Sequence, residues 1–167
     1  STSTNYGINF EFNKAMKMYI ADFKVYKTAD PAKTTVLDID GDTPMLALDN
    51  PTGRVAGEYG WDADYPTTAT YNDSLNMLTC GNDSGTFYTA TLQEYDATNV
   101  FIPLLPEGAK MIHINSTTTE AGKVFGMLAQ GLETGTQYTI SFKCKVKSGS
   151  FNNEGADTVY LRVRKDK

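Results

Sequence analysis

Tyr59, Trp61, Tyr65 and Tyr71 crowd a single stretch, with Asp62, Asp64, Asn72 and Asp73 interleaved among them. Flat aromatic rings give the apolar C–H faces of a sugar a large contact area at little entropic cost. Carboxylates and amides beside them hydrogen-bond the hydroxyls. This mixture marks Tyr59, Trp61, Tyr65, Tyr71, Asp62, Asp64 and Asn72 as the candidate ligand site. The alternative is that the same rings fold inward and anchor the segment, since Trp and Tyr are usually well buried. Tyr88 and Tyr95 offer a second platform on or near one strand, where core packing is the simpler account.

Asp38, Asp40 and Asp42 lie in the run Asp-Ile-Asp-Gly-Asp. Hard oxygens at alternate positions suit the first part of a calcium loop. The bidentate Glu of the twelfth position is absent, with Asp49 in its place. Alternating Asp on the wet face of a strand also needs no metal. His113 is the one histidine, and no Gly-x-Ser-x-Gly elbow accompanies it. A lone His between Met111 and Asn115 on a strand reads as structural, and although carboxylates are plentiful enough to pair in space, the expectation is a non-catalytic chain. Cys80 and Cys144 with one His fall short of a zinc set. The two cysteines either pair or, with Cys144 on an apolar face, act as small hydrophobes. The sequons at Asn72, Asn82 and Asn115 are what chance supplies in a chain rich in Asn, Ser and Thr.

The elements that must position these groups read as strands. From Leu132 to Lys147 a turn at Gly135 precedes unbroken alternation. Tyr138, Ile140, Phe142, Cys144 and Val146 point one way; Thr139, Ser141, Lys143, Lys145 and Lys147 point the other. A period of two with branched and aromatic residues is a strand with one face in a core. Tyr6 to Phe12 alternates likewise, and Tyr19, Ala21, Phe23 and Val25 read as the inward set of a second strand, so the two predict a β-hairpin over residues 1–27. Further strands are expected at Val36–Asp42, Leu75–Cys80, Thr86–Tyr95, Val100–Leu105, Lys110–Ser116, Val124–Ala129 and Thr158–Arg164, with Asp49 to Asn76 a long loop. Roughly ten strands and no helix predict one all-β domain of 167 residues, an antiparallel β-sandwich of jelly-roll type.

Composition narrows the partners. Twenty acidic against fifteen basic residues give a net charge of −5, which argues against nucleic acid, whose phosphates call for clustered Lys and Arg. No run approaches the roughly 20 apolar residues that span a bilayer. No signal peptide opens the sequence, which reads as a mature or excised domain.

The segment Gly126 to Gly149, with its Tyr-Thr-Ile-Ser-Phe-Lys-Cys-Lys core, resembles the middle of the jelly-roll carbohydrate-binding modules appended to bacterial cellulases and xylanases. Met18-Tyr-Ile-Ala-Asp-Phe-Lys-Val-Tyr26 resembles their terminal strand. The resemblance implies a secreted or cell-surface, non-catalytic module that binds polysaccharide. It also implies that a structural calcium sits near Asp22. The order departs from the family, because the terminal-type strand comes first here. Lys167 followed by Ser1 would read as a hairpin link from the strand of Leu161 to that of Phe10. The chain is a circular permutant, or its first 27 residues are exchanged with a neighbouring copy, or the likeness is accidental. Exchange would make the domain a subunit of an extracellular fibre or scaffold.

Overall fold

The computed structural model describes residues 3–12, 15–38, 68–82, 85–94, 105, 109–117, 123–148 and 159–165. Every regular element among them is a strand. In chain order these are β1 (Ser3–Phe12), β2 (Met16–Lys27), β3 (Thr35–Asp38), β4 (Thr68–Asn72), β5 (Met77–Asn82), β6 (Gly85–Glu94), β7 (Lys110–Ser116), β8 (Lys123–Glu133), β9 (Tyr138–Ser148) and β10 (Val159–Lys165). All pairings are antiparallel, and the all-β, sandwich-like class expected from the sequence is present. Strand β4 forms within a stretch expected to be loop. Of the strand expected at Val100–Leu105, only Leu105 is among the described residues.

Two sheets enclose one core. The smaller runs β10-β1-β8; the larger runs β3-β2-β7-β6-β5-β4, with β9 also paired to β2. The first two strands therefore belong to different sheets. The expected hairpin is instead an arch: β1 pairs with β10 and β8, while β2 pairs with β9 along one edge and with β7 and then β3 along the other. Both are interior strands of their sheets. The pairing anticipated between the strands of Leu161 and Phe10 is present, with Phe10 opposite Leu161 and Tyr6 opposite Lys165.

Two local breaks in the period of two decide which side chains enter the core. Met16, Met18 and Ile20 are buried in it, and so are Phe23 and Val25, although the two sets differ in parity. The register with β9 slips between Ala21 and Lys24, and Asp22 adopts φ 50°, a left-handed conformation that Asp tolerates better than most residues. The extra residue turns the second half of β2 over. Contrary to the sequence expectation, Tyr19 and Ala21 therefore do not share a face with Phe23 and Val25. They join Met111 and Leu105 in a separate cluster on the outer side of the large sheet. Strand β8 does the same: Phe125, Met127 and Ala129 are inward, a register shift follows, and Leu132 is inward again. Gly131 at φ 69° makes that bulge, and its N–H donates to Asn5 Oδ1 at 3.0 Å.

The centre of the core is aromatic. Phe10 is fully buried, 5.3 Å edge-on from Phe142 and 6.4 Å edge-on from Phe23. It joins the middle strand of one sheet to two strands of the other. Cys80 and Cys144 are both free thiols. They lie on β5 and β9, with β2, β7 and β6 between, so about 19 Å or more separates them at ~4.8 Å per strand, far beyond disulfide reach. Burial raises the pKa of the Cys144 thiol above its ordinary value.

Truncating the central ring tests this packing. Phe10→Ala is expected to lower unfolding free energy by about 3–5 kcal/mol in chemical denaturation, the cost of a large core cavity. A loss below about 1 kcal/mol would place Phe10 outside the core.

Candidate functional site

A cleft opens at the end of the sandwich where the turn between β8 and β9 closes it. Its volume is about 290 Å³. Inward positions of five strands build it: Thr4, Tyr6 and Ile8 of β1, Val25 of β2, Leu132 of β8, Tyr138 and Ile140 of β9, and Val163 of β10. The floor is aliphatic. The rim carries Thr4, Thr134 and Thr136 with the two tyrosines, and Val163 at the mouth is 50% exposed.

Local chemistry fixes the rim. Gly135 takes φ 81°, which closes the turn, and Thr136 N–H donates to Glu133 O at 3.2 Å. Glu133 N–H donates to the Tyr138 hydroxyl at 3.0 Å, which holds that ring against the turn. The turn is tied to the end of β2 by Thr28 N–H donating to Gln137 O and by Lys27 Nζ on Glu133 Oε1 at 2.6 Å. That charge-assisted bond raises the pKa of Lys27 and lowers that of Glu133. Because the pair is solvent-exposed, its effect is positional rather than stabilising.

The second feature is the outer face of the large sheet. One row of register-matched residues crosses it: Lys145, Tyr19, His113, Thr91, Met77 and Asn72. Tyr19 and His113 stack at 4.5 Å with 13° between their rings, and Tyr19 is buried beside Leu105. Among the described residues, His113 Nε2 and Asn115 Oδ1 are buried atoms with no hydrogen-bond partner. They are neighbours on this face of β7. Few native groups are left in this state, and each calls for a partner.

Of the residues nominated by sequence, Tyr71, Asn72, Asp22 and Asp38 are among the described ones. Tyr59, Trp61, Asp62, Asp64 and Tyr65 lie outside the described residues, as do Asp40, Asp42 and Tyr95. Tyr71 is in β4, opposite Leu78. Asn72 ends β4 and serves a turn, its Oδ1 accepting from Ser74 Oγ at 2.8 Å and Leu75 N–H at 3.2 Å. Asp22 meets Lys24 Nζ at 2.6 Å and Lys143 Nζ at 3.6 Å, and Asp38 stands opposite Lys24 in the sheet. A calcium ion on Asp22 would have to displace two ammonium groups. Among the described residues no group of three potential metal ligands gathers. Tyr88 is buried and packs edge-on to Phe125 at 6.5 Å, the structural role preferred from sequence. The cleft was not legible, because alternation shows which residues point inward and not which strands meet. The glycines at 131 and 135, flanking Leu132, are its only local signal.

No protein-family model matches this chain, and neither does any curated protein or solved structure. Among the described residues no helix is long and apolar enough to cross a membrane.

The outer face makes a pH prediction. Burial, then repulsion from Lys147 and Lys17, lowers the pKa of His113 below the ordinary 6.5. The unfolded chain therefore binds this proton more tightly than the folded one, and stability falls as pH drops below about 6.5 until the folded form also protonates. Between about pH 7.5 and 5.5 the melting temperature should fall more for the native chain than for His113→Asn. Equal falls would contradict the burial of the ring.

Proposed function

We propose that this chain is a non-catalytic carbohydrate-binding domain, secreted or displayed at a cell surface, that holds a sugar in the end cleft. The observation behind this reading is the cleft's composition. Aliphatic walls and two tyrosine rings suit the C–H faces of a pyranose, and three threonine hydroxyls with the Tyr138 hydroxyl suit its O–H groups. The Tyr138 oxygen accepts from Glu133 N–H, which fixes the hydroxyl at the rim of the cleft. A cavity at the small end of ligand pockets favours one ring or a chain end over a long groove.

Binding to a panel of mono- and oligosaccharides tests it by calorimetry. Val163→Trp fills the mouth from an exposed position, and is expected to weaken binding roughly tenfold or more while leaving the melting temperature unchanged. Trp61→Ala separates this site from the aromatic stretch near residue 61. Loss of binding in Trp61→Ala with full binding in Val163→Trp would move the site out of the cleft, and a native chain that binds no saccharide would overturn the function.

A further inference from the structure

One charged residue, Glu133, is among the described residues that line the end cleft. Its carboxylate is located by what it touches. Lys27 Nζ lies 2.6 Å from Glu133 Oε1, and Lys27 stands directly opposite Tyr138 in the β2–β9 register. Residues paired in this way share a face of the sheet. Val25, two positions earlier in β2, lines the cleft from that same face, opposite Ile140. The ion pair therefore stands on the inner side of the large sheet, beside the Tyr138 ring and the β8–β9 turn. Lys27 first, and the side chain of Thr136 after it, hold the Glu133 carboxyl below its ordinary range. The two charged side chains are 42% and 49% exposed, so a ligand at the rim can reach both.

A joined ammonium and carboxylate suit a neutral sugar. A hydroxyl can donate to the lone pairs that the carboxylate keeps, and accept from the N–H groups that the ammonium does not use on Glu133. An ionised sugar meets the opposite balance. Its carboxylate would lose water against the aliphatic floor of Ile8, Val25, Leu132 and Ile140, which is costly unless a counter-charge takes the water's place. The cation of the pair is already engaged by Glu133, and Glu133 itself repels the incoming charge. Neutralising Glu133 alone would release Lys27 to the ligand. Glutamine at this position keeps the backbone N–H that anchors the Tyr138 hydroxyl, so charge can be changed without removing that support.

We propose, given the cleft as the sugar site, that the Lys27–Glu133 pair determines its specificity by accepting neutral sugars and excluding those that carry a carboxylate.

Calorimetry of the intact chain at neutral pH and low salt tests this with matched methyl glycosides: glucose against glucuronate, galactose against galacturonate, mannose against mannuronate. The native chain should bind the neutral member of at least one pair, with the acidic member roughly tenfold weaker or more. Glu133→Gln should narrow that ratio by about tenfold or reverse it. Lys27→Met/Glu133→Gln should continue to exclude the acidic member, because no ammonium is released, and both variants should melt with the native chain. Equal or tighter binding of the acidic member by the native chain would overturn the exclusion while leaving the cleft as a sugar site. An unchanged ratio in Glu133→Gln, or an acidic sugar admitted equally by the single and double variants, would overturn the role of the pair and again leave the cleft as a sugar site. A native chain that binds neither member of any pair, or neutral binding that survives in full in Val163→Trp, would remove the cleft as the site and the inference with it.

Discussion

The arch made by β1 and β2 is the constraint on which the rest depends. One short connection carries the chain from the middle strand of one sheet to an interior strand of the other, so each sheet is completed by its own half of a single segment. β1 brings Ile8 and Phe10 to the core and β2 brings Met18, Ile20, Phe23 and Val25, all essentially without solvent contact. Side chains of this size each contribute about 1.5–3 kcal/mol by leaving water. Because Phe10 meets Phe23 of β2 and Phe142 of β9, the two sheets are held together by the rings of the strands that organise them.

The candidate sites follow from that arrangement and from the two bulges. At Asp22 the turning over of β2 puts Tyr19 on the outer face, where it stacks on His113, and still returns Val25 to the inner face, where it lines the cleft. At Gly131 the same device keeps Leu132, the penultimate residue of β8, pointing inward. Without an extra residue in each strand, a strict period of two would place Val25 and Leu132 on the wrong side of their sheets. The cleft's lining depends on both.

Legibility in the sequence followed how clearly each strand distinguishes its two sides. In β9 the inward set from Tyr138 to Val146 is apolar and the outward set is Thr, Ser and Lys, and both faces are as the alternation predicts. In β7, Met111, His113 and Asn115 share a face as read. In β2, however, Met16, Met18 and Ile20 are apolar and so are Tyr19 and Ala21, so pattern alone could not choose between them. The alternation of Tyr19, Ala21, Phe23 and Val25 looks regular in sequence and crosses a bulge in space. The arch was missed for a related reason: two alternating strands joined by a short polar link satisfy a hairpin and an arch equally well, and only the competing partners β8, β10, β7 and β9 decide. Strand β4 lies where turn residues obscure the period, and Asn72, nominated as a ligand contact, holds a turn through its side-chain oxygen.

Native-state hydrogen exchange tests the central role of the arch most directly. If β1 and β2 hold the two sheets together, the amides of Ile8 and Phe10 and those of Met18 and Ile20 should exchange through one opening, with the free energy of global unfolding and the same denaturant dependence. If the β1 amides exchange through a cheaper opening while those of β2 stay protected, or the reverse, the sheets separate independently and the arch is not what joins them.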